Sequence, residues 1–524
     1  MRDTPHANRP PLIGALLDPR RYPHAVDAVE CIETHISWVL LAGEFAYKIK
    51  KPVALGFLDF STLAARRHFC LEELRLNRAT APQLYLDVVA LTGDAAAPQF
   101  GGAGPPFEYA LRMRRFPQAA LFDRLAQCGE IGAGLVDRLA ETVAAFHART
   151  AVAGSADDHG SPDNISRPAL ENFAQIAGLA PPADAAAALA RLRDWTAVAS
   201  LKLRPAFAAR KAAGCVRECH GDLHLGNIAL IDGQPVAFDR IEFNAELRWI
   251  NVMSELAFLV MDFLDRGLLA QAWRCLNRYL EISGDYEGIG VLRFYLVYRA
   301  MVRAKVALIH ARQPEAGALR SGEEASFMHH LQLADRFAAA QRPALVLMHG
   351  LSGSGKSTVS QTLLERLGAL RVRSDVERKR LHGLLGPAHG GGAASAGLYE
   401  AATIRRTYER LAAVAEAALR AGWCTIVDAT FLQRRLRNEF RRVAQRLGAS
   451  FLIVSCHAGE AELRDRLKRR RVAGADASDA DAEVLASQIR RQQPLGDDEL
   501  CELISLDASV ADTELAARVA ARLM

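Results

Sequence analysis

Three patterns predict an α+β N-terminal part, with a small β-rich lobe and a helical lobe, fused to an α/β domain built on a parallel sheet. Residues 24 to about 115 mix short β-like runs with one helix. From about 118 to 335 the periodicity is mostly helical, broken once by a polar island at 216–243. From about 343 onward, apolar strand-like runs alternate with helical segments, the pattern of a parallel sheet covered on both faces.

Length and composition bound the answer. At roughly 150 residues per domain, the 524 residues suggest two to four domains. Half of the chain is hydrophobic and 24% is charged, which excludes a disordered, collagen-like or coiled-coil chain. A net charge of +5 is too small over this length to argue by itself for nucleic acid or a membrane. The nine cysteines are scattered with no Cys-x-x-Cys, so neither a disulfide framework nor a zinc module fits and a reducing compartment is expected. The N-terminus has no apolar core of signal-peptide length. The most apolar stretch, 252–264, is too short to span a bilayer and carries Glu255 and Asp262. A soluble, cytoplasmic protein with no membrane partner is the expectation.

The elements follow in order. THISWVLLAG (34–43) and FAYKIKKPV (45–53) read as paired strands with a turn near Gly43 and Glu44. Residues 61–79 read as a helix with Ser61 or Thr62 as N-cap. YLDVVALTG and FEYALRMRRF (107–116) read as further strands, with a Gly-, Ala- and Pro-rich loop between them at 93–106. IGAGLVDRLAETVAAFHART and PADAAAALARLRDWTAVA are the clearest helices. After a helix at about 323–340, Pro343 marks a boundary. Strands are then expected at 344–350, 369–375, 424–430, 450–456 and 503–509, and GPAHGGGAASAG (386–397) reads as a loop. The domains are placed at 1–335 (β-rich lobe about 1–115, helical lobe about 116–335) and 344–524.

The sharpest local signal is Gly350-Leu-Ser-Gly-Ser-Gly355-Lys356-Ser357, which fits G-x-x-x-x-G-K-[ST] between an apolar strand and a helix. Gly350, Gly353 and Gly355 let backbone N–H groups turn inward around phosphate oxygens, with Ser352, Ser354 and Thr358 in the same cradle. The helix from about Lys356 points its positive end at the anion. Lys356 would neutralise the β- and γ-phosphates and Ser357 would offer a hydroxyl to Mg²⁺. Asp428 ends the strand CTIVD, where an acid beside such a loop holds metal-bound water. Asp375 ends the preceding strand and would accept a proton from a substrate hydroxyl, with Arg378 one turn on to orient it. Arginine runs at 434–442 and 464–471 suit a solvated helix face, a lid over phosphate, or a polynucleotide contact, and the sequence does not decide among them.

These residues carry a resemblance. GLSGSGKST, RSDVERKR and TIVDATF make 344–524 similar to the P-loop small-molecule and polynucleotide kinases. The resemblance implies Asp375 as general base toward a hydroxyl acceptor and Arg378 as its assistant.

The polar island holds His220-Gly-Asp222-Leu-His224-Leu-Gly-Asn227, and His220-x-Asp222-x-x-x-x-Asn227 has the spacing of a kinase catalytic loop. Asp222 would meet the acceptor hydroxyl, Asn227 would take a metal, and Asp239 after the strand PVAFD would be the second metal-ligating acid. A zinc reading of His220, Asp222 and His224 lacks a fourth ligand. Upstream, FAYKIKK puts Lys48 and Lys50 on one strand face and the helix offers Glu72 and Glu73. Lys48 paired with Glu73 is the expected phosphate-binding couple. HGDLHLGNI and LAETVAAFHA resemble the aminoglycoside phosphotransferase and choline kinase superfamily. With ETHISWVLLAG and YKIKKPV, the whole chain resembles bacterial fusions of an aminoglycoside phosphotransferase-like, protein-kinase-like bilobal domain with a P-loop ATP-binding domain.

Two departures stand out. No G-x-G-x-x-G joins the first strands, so Thr34, His35 and Ser37 are the candidates to cover phosphate, and the metal segment is FDRIEF, where Glu242 is an extra ligand or a structural acid. The resemblance implies ATP and Mg²⁺ as cofactors and transfer of the γ-phosphoryl to the hydroxyl of a small molecule at each of two sites. The alternatives are a nucleotide-gated regulatory protein with little turnover, or a C-terminal polynucleotide 5′-hydroxyl kinase, with nucleic acid a less favoured partner.

Overall fold

The computed structural model describes residues 9–55, 58–313, 317, 319–384, 400–473, 482–507 and 513–523. The glycine-rich segment 386–397 lies outside these. The chain forms two compact units, one of residues 1–131, 149–160 and 211–255, the other of residues 132–148, 161–210 and 256–524.

The first unit is built on an antiparallel sheet. Its strands are β1 (Val29–Glu33), β2 (Ser37–Ala42), β3 (Phe45–Lys50), β4 (Ala54–Leu55), β5 (Leu58–Asp59), β6 (Tyr85–Gly93), β7 (Pro98–Phe100) and β8 (Glu108–Arg114). The six-stranded order is β1-β2-β3-β8-β6-β7, with β4 and β5 a separate hairpin. β1 was not expected from the sequence, and β7 forms inside the segment expected as loop. The core gathers Leu40, Tyr47, Ile49, Leu91 and Ala110 with Ile13 and Leu16 of an N-terminal helix. Helix Leu63–Arg78 starts at Thr62, not Ser61, because the Thr62 hydroxyl accepts the Ala65 N–H at 3.1 Å. It buries Arg66, Cys70, Glu73 and Asn77, a stripe at steps of three and four that leaves Glu72 to one side. Arg66 in turn pairs with the buried Glu108 of β8 at 2.8 Å. β9 (Val216–Glu218), β10 (Ile228–Ile231), β11 (Gln234–Ala237) and β12 (Trp249–Asn251) form two short antiparallel pairs, β9 with β12 and β10 with β11, that frame the polar island.

The second unit contains β13 (Ala344–His349), β14 (Leu370–Arg373), β15 (Cys424–Asp428), β16 (Ser450–His457) and β17 (Leu503–Asp507) in the order β14-β15-β13-β16-β17, all parallel. Every residue of β13 is buried, as a central parallel strand requires. The connections run through helices Lys356–Leu367, Ala401–Arg420 and Arg434–Arg446. The carboxyl ends of such a sheet, where strand order reverses, form the ligand crevice of this architecture. Helices Leu269–Ser283, Ile289–Ala311 and Arg320–Ala338, predicted as part of a helical lobe, cluster in this same unit. Asn277 fixes the first of them to β14, donating to Ala369 O at 3.0 Å and accepting the Arg371 N–H at 2.6 Å. Among the described residues no helix is long and apolar enough to cross a membrane, and the apolar run 252–264 falls in the buried helix Val252–Asp265.

Candidate functional sites in two units

In the second unit, β13 runs into the glycine-rich loop. Gly350, Gly353 and Gly355 have φ of 136°, 86° and 89°, a region open mainly to glycine. A Cβ on Gly350 would sit 2.4 Å from the Cys456 carbonyl oxygen, so glycine is obligatory there for space as well as conformation. Helix Lys356–Leu367 follows with Gly355 as an N-cap that supplies no side-chain hydrogen bond, which leaves its first N–H groups for an anion. The Ser354 hydroxyl is buried with no hydrogen-bond partner. Lys356 Nζ donates to Leu351 O at 2.7 Å within the loop.

A cavity of about 780 Å³ opens at the carboxyl ends of the strands. Ser352, Gly353, Ser354, Gly355, Lys356, Ser357 and Thr358 line one wall, and Asp428, Asp375 and Arg378 line it too. Of the residues expected at this site, Gly350 alone stays behind the lining. Asp428 is 5% exposed, pairs in register with Met348 of β13, and accepts from Ser360 Oγ at 3.0 Å. Asp375 differs from expectation in one respect. β14 stops at Arg373, so Asp375 lies in the first turn of helix Ser374–Leu381 rather than at a strand end. That turn lies at the positive end of the helix dipole. Arg378 Nη1 donates to Asp375 Oδ1 at 2.8 Å, the one-turn contact the spacing predicts.

Other cavity residues had little signal in the sequence. Tyr408 Oη lies 3.5 Å from Thr430 Oγ1, and both line the cavity. Gln488 Oε1 accepts the Ser352 N–H, and its Nε2 donates to Ser352 Oγ, both at 2.9 Å. Arg466, from the second arginine run, lines the cavity and donates to Gly353 O at 3.3 Å. The first run is different. Arg437 is buried and grips Glu499 at 2.7 and 2.9 Å. Arg434 and Arg441 engage Asp498, and Arg441 also Glu502. Three arginines of this run thus clasp 498–502, while Arg435 is exposed beside Glu439. The side chains of 470 and 471 lie outside the described residues.

In the first unit, Lys48 Nζ on β3 donates to Glu73 Oε1 at 2.7 Å and to Asp239 Oδ1 at 2.5 Å. Lys50 Nζ donates to Glu73 Oε2 at 2.7 Å and also to Glu242. Two lysines spaced by one strand period thus share one carboxylate. Burial opposes the charge on Lys48, but Asp239 and Glu73 outweigh it and hold the ammonium well above its ordinary range. Burial likewise pushes Glu73 up, and Lys48 and Lys50 pull it down to about 2. Burial pushes the Glu242 carboxyl up against the pull of Lys50. Glu242 is a buried partner of Lys50, the structural-acid alternative of the sequence reading. Glu72 faces Arg75 and Arg248 instead.

Asp239 has φ of 65°, rare for a residue with a Cβ, and its N–H donates to Tyr85 Oη at 3.0 Å. The polar island sits against it. His220 Nε2 donates to Phe238 O at 2.8 Å, and the Ile241 N–H donates to His220 O at 3.1 Å. Burial lowers the His220 pKa, so the ring is neutral, and its Nδ1 accepts the Asp222 N–H at 3.4 Å. Asn227 Nδ2 donates to Asp222 O at 3.0 Å and to Oδ2 at 3.2 Å. His224 Nδ1 accepts the Gly226 N–H while its Nε2 lies 3.5 Å from Asp222 Oδ2. The imidazole nitrogens of His220 are engaged with backbone, so the zinc alternative has no convergent ligand set. Between β1 and β2, Thr34 and Ser37 bond to each other in a tight turn.

Asn227 and Asp239 in one unit, and Ser357 and Asp428 in the other, are oxygen donors that suit a hard cation such as Mg²⁺.

Residues 345–495 match the AAA_33 family, described as an AAA domain. Two proteins named as uncharacterized, Rv2004c of Mycobacterium tuberculosis and Mb2027c of Mycobacterium bovis, are each 32% identical to this chain over 468 residues, covering 88% of it and 90% of theirs. Among solved structures, the APS kinase CysC of Mycobacterium tuberculosis in complex with AMPPNP and APS is 25% identical, covers 35% of this chain and 98% of its own, and has a TM-score of 0.26. A gluconokinase from Sinorhizobium meliloti is 20% identical over 35% of this chain and 93% of its own, with a TM-score of 0.24. A Ralstonia eutropha chain with the provisional name aminoglycoside phosphotransferase is 14% identical over 62% of this chain and 97% of its own, with a TM-score of 0.35.

Proposed function

We propose, from the premise that this chain belongs to one family with the two mycobacterial proteins over most of their length, that it is a phosphotransferase with two Mg²⁺–ATP sites, each passing the γ-phosphoryl to a hydroxyl of a small molecule in the cytoplasm. One observation carries the reading for the second unit: a cavity of about 780 Å³ is lined by the phosphate cradle, the buried acid Asp428 and the Asp375–Arg378 pair.

The chemistry divides among these residues. The loop N–H groups and Lys356 receive the β- and γ-phosphates. Ser357 and Asp428 would hold Mg²⁺, which when bound neutralises charge on the phosphates. Asp375, oriented by Arg378, accepts the proton of the acceptor hydroxyl as its oxygen bonds to the γ-phosphorus and the bond to the β-phosphate oxygen breaks. Positioning and charge supply the rate, with no covalent intermediate. In the first unit Lys48, fixed by Glu73, faces the α- and β-phosphates, Asn227 and Asp239 would hold the metal, and Asp222 meets the second hydroxyl.

The clasp of Arg434, Arg437 and Arg441 lowers the case for a polynucleotide acceptor, since these three cations already face Asp498, Glu499 and Glu502. The test is ADP release across a pool of small alcohols, with Lys356→Ala and Asp222→Asn assayed separately. Each variant is expected to abolish release with one class of acceptor and preserve the other. ATP binding without ADP release for any acceptor would favour the nucleotide-gated switch. Turnover unaffected by either change would overturn both site assignments.

A further inference from the structure

Helix Leu269–Ser283 precedes the P-loop half in the chain, yet it brings a buried acid behind Arg373, which lines that half's cavity. Glu281 is 5% exposed. It accepts from Arg371 Nη2 at 2.8 Å and lies 3.7 Å from Arg373 Nη1. Both arginines are on β14, beside the strand that ends in Asp428. Arg373 is the register partner of Asp428, and its Nε lies 3.9 Å from Asp428 Oδ2. Arg371 Nη1 donates to Ser360 Oγ at 3.2 Å, and that hydroxyl donates to Asp428 Oδ2 at 3.0 Å. The chain Glu281, Arg371, Ser360, Asp428 is continuous and buried throughout. Asn277, one turn earlier, bonds β14 backbone on both sides of Leu370, so the helix cannot slide along the strand without breaking both contacts.

An acid that must hold a cation is compromised by guanidinium groups beside it, because they compete for the same oxygens. Two stand here. Glu281 supplies the opposing charge from the far side and draws them away from Asp428. Without it, the buried Arg371 and the half-buried Arg373 would turn to a carboxylate already within reach of Arg373.

We infer that Glu281 is a positioning residue for the magnesium site of the P-loop half, holding Arg371 and Arg373 back so that Asp428 stays open to the ion. The inference rests on the reading of Asp428 as the acid that faces the metal. It also assigns a purpose to the packing of this helix on β14, since the metal site of one half would then be completed by a residue upstream of 335.

The experiment uses the full chain carrying Asp239→Asn, which removes the metal-facing acid of the first unit's site and serves as the wild-type reference below, with a fluorescent ATP analogue titrated with Mg²⁺ and, separately, in EDTA. Glu281→Gln should bind the analogue in EDTA as wild type does, yet need about tenfold more Mg²⁺ for the metal-dependent gain, the usual scale for losing a partner one step from a metal ligand. Adding Arg373→Met to Glu281→Gln should restore the wild-type Mg²⁺ midpoint, which a merely structural defect would not do. A wild-type midpoint in Glu281→Gln, or no recovery in the double variant, overturns the inference. Should Glu281→Gln fail to fold, Arg373→Met alone is expected to lower the midpoint, and an unchanged one overturns the inference equally. Asp428→Asn separates the two readings. If it abolishes the Mg²⁺ response while Glu281→Gln does not change it, only the role of Glu281 falls. If Asp428→Asn leaves the response intact, the assignment of the metal site falls with it.

Discussion

Replacing Glu73 by glutamine keeps the side chain's shape and removes the charge that two buried lysines share. Glu73 is fully buried and accepts from Lys48 and Lys50, each at 2.7 Å. Breaking a buried pair by removing one partner costs about 3–5 kcal/mol. Asp239 and Glu242 still engage one lysine each, which points to the low end of that range. The carboxyl itself gives a second measure. Its fall from 4.5 to about 2 corresponds to about 3–4 kcal/mol, at about 1.4 kcal/mol for each pH unit, and the low end of that range agrees. At roughly 2–4 °C per kcal/mol for a unit of this size, Glu73→Gln should lower Tm by about 6–12 °C at pH 7. The sign of the pH dependence follows from the depressed value. Glu73 contributes its stability above about pH 4.5 and loses it as pH falls toward 2, so the gap between wild type and variant should close over that window. Scanning calorimetry at pH 7 and pH 3 reads both effects. A shift under about 2 °C at pH 7, or a gap that persists undiminished at pH 3, would refute the shared-carboxylate reasoning.

Further predictions concern the second unit. Gly350→Ala places a Cβ 2.4 Å from Cys456 O at a φ of 136°, so we expect a loss of about 1–3 kcal/mol in a thermal melt together with loss of nucleotide binding. Asp375→Asn should lower kcat by about 10²–10⁴ while leaving the nucleotide KM near wild type, measured by ADP release once an acceptor is in hand. His349, beside Ser455 at 2.7 Å, has its pKa lowered to about 4 by burial and by Arg437. The unfolded chain therefore binds the extra proton between pH 4 and 6.5, stability rises with pH across that window, and His349→Gln should flatten the slope in melts taken from pH 4 to 7.

Much of this protein was legible because the signals were local. The phosphate loop declares itself through glycines whose left-handed φ is a requirement of the loop, and through a strand before it that is apolar up to His349 and a good helix after it. The one-turn spacing of Asp375 and Arg378 is likewise a property of any helix. The short strands β1 and β7 escaped because two- to five-residue edge segments depend on their neighbours for hydrogen bonds rather than on their own pattern.

Sequence alone determined which chemical groups the protein carries and the local frames that present them, since turns, caps and periodicity are set by residues within a few positions of each other. Tertiary structure decided who meets whom. Strand alternation puts Lys48 and Lys50 on one face, and only the docked helix shows that both close on Glu73 while Lys48 also takes Asp239 and Lys50 takes Glu242. Only the packed sheet brings Gln488, Arg466 and Tyr408 to the phosphate cavity, and only the docking of Leu269–Ser283 on β14 sets Glu281 against Arg371. These partners are separated by tens to hundreds of residues, and the burial that selects them exists only once the chain has closed on itself.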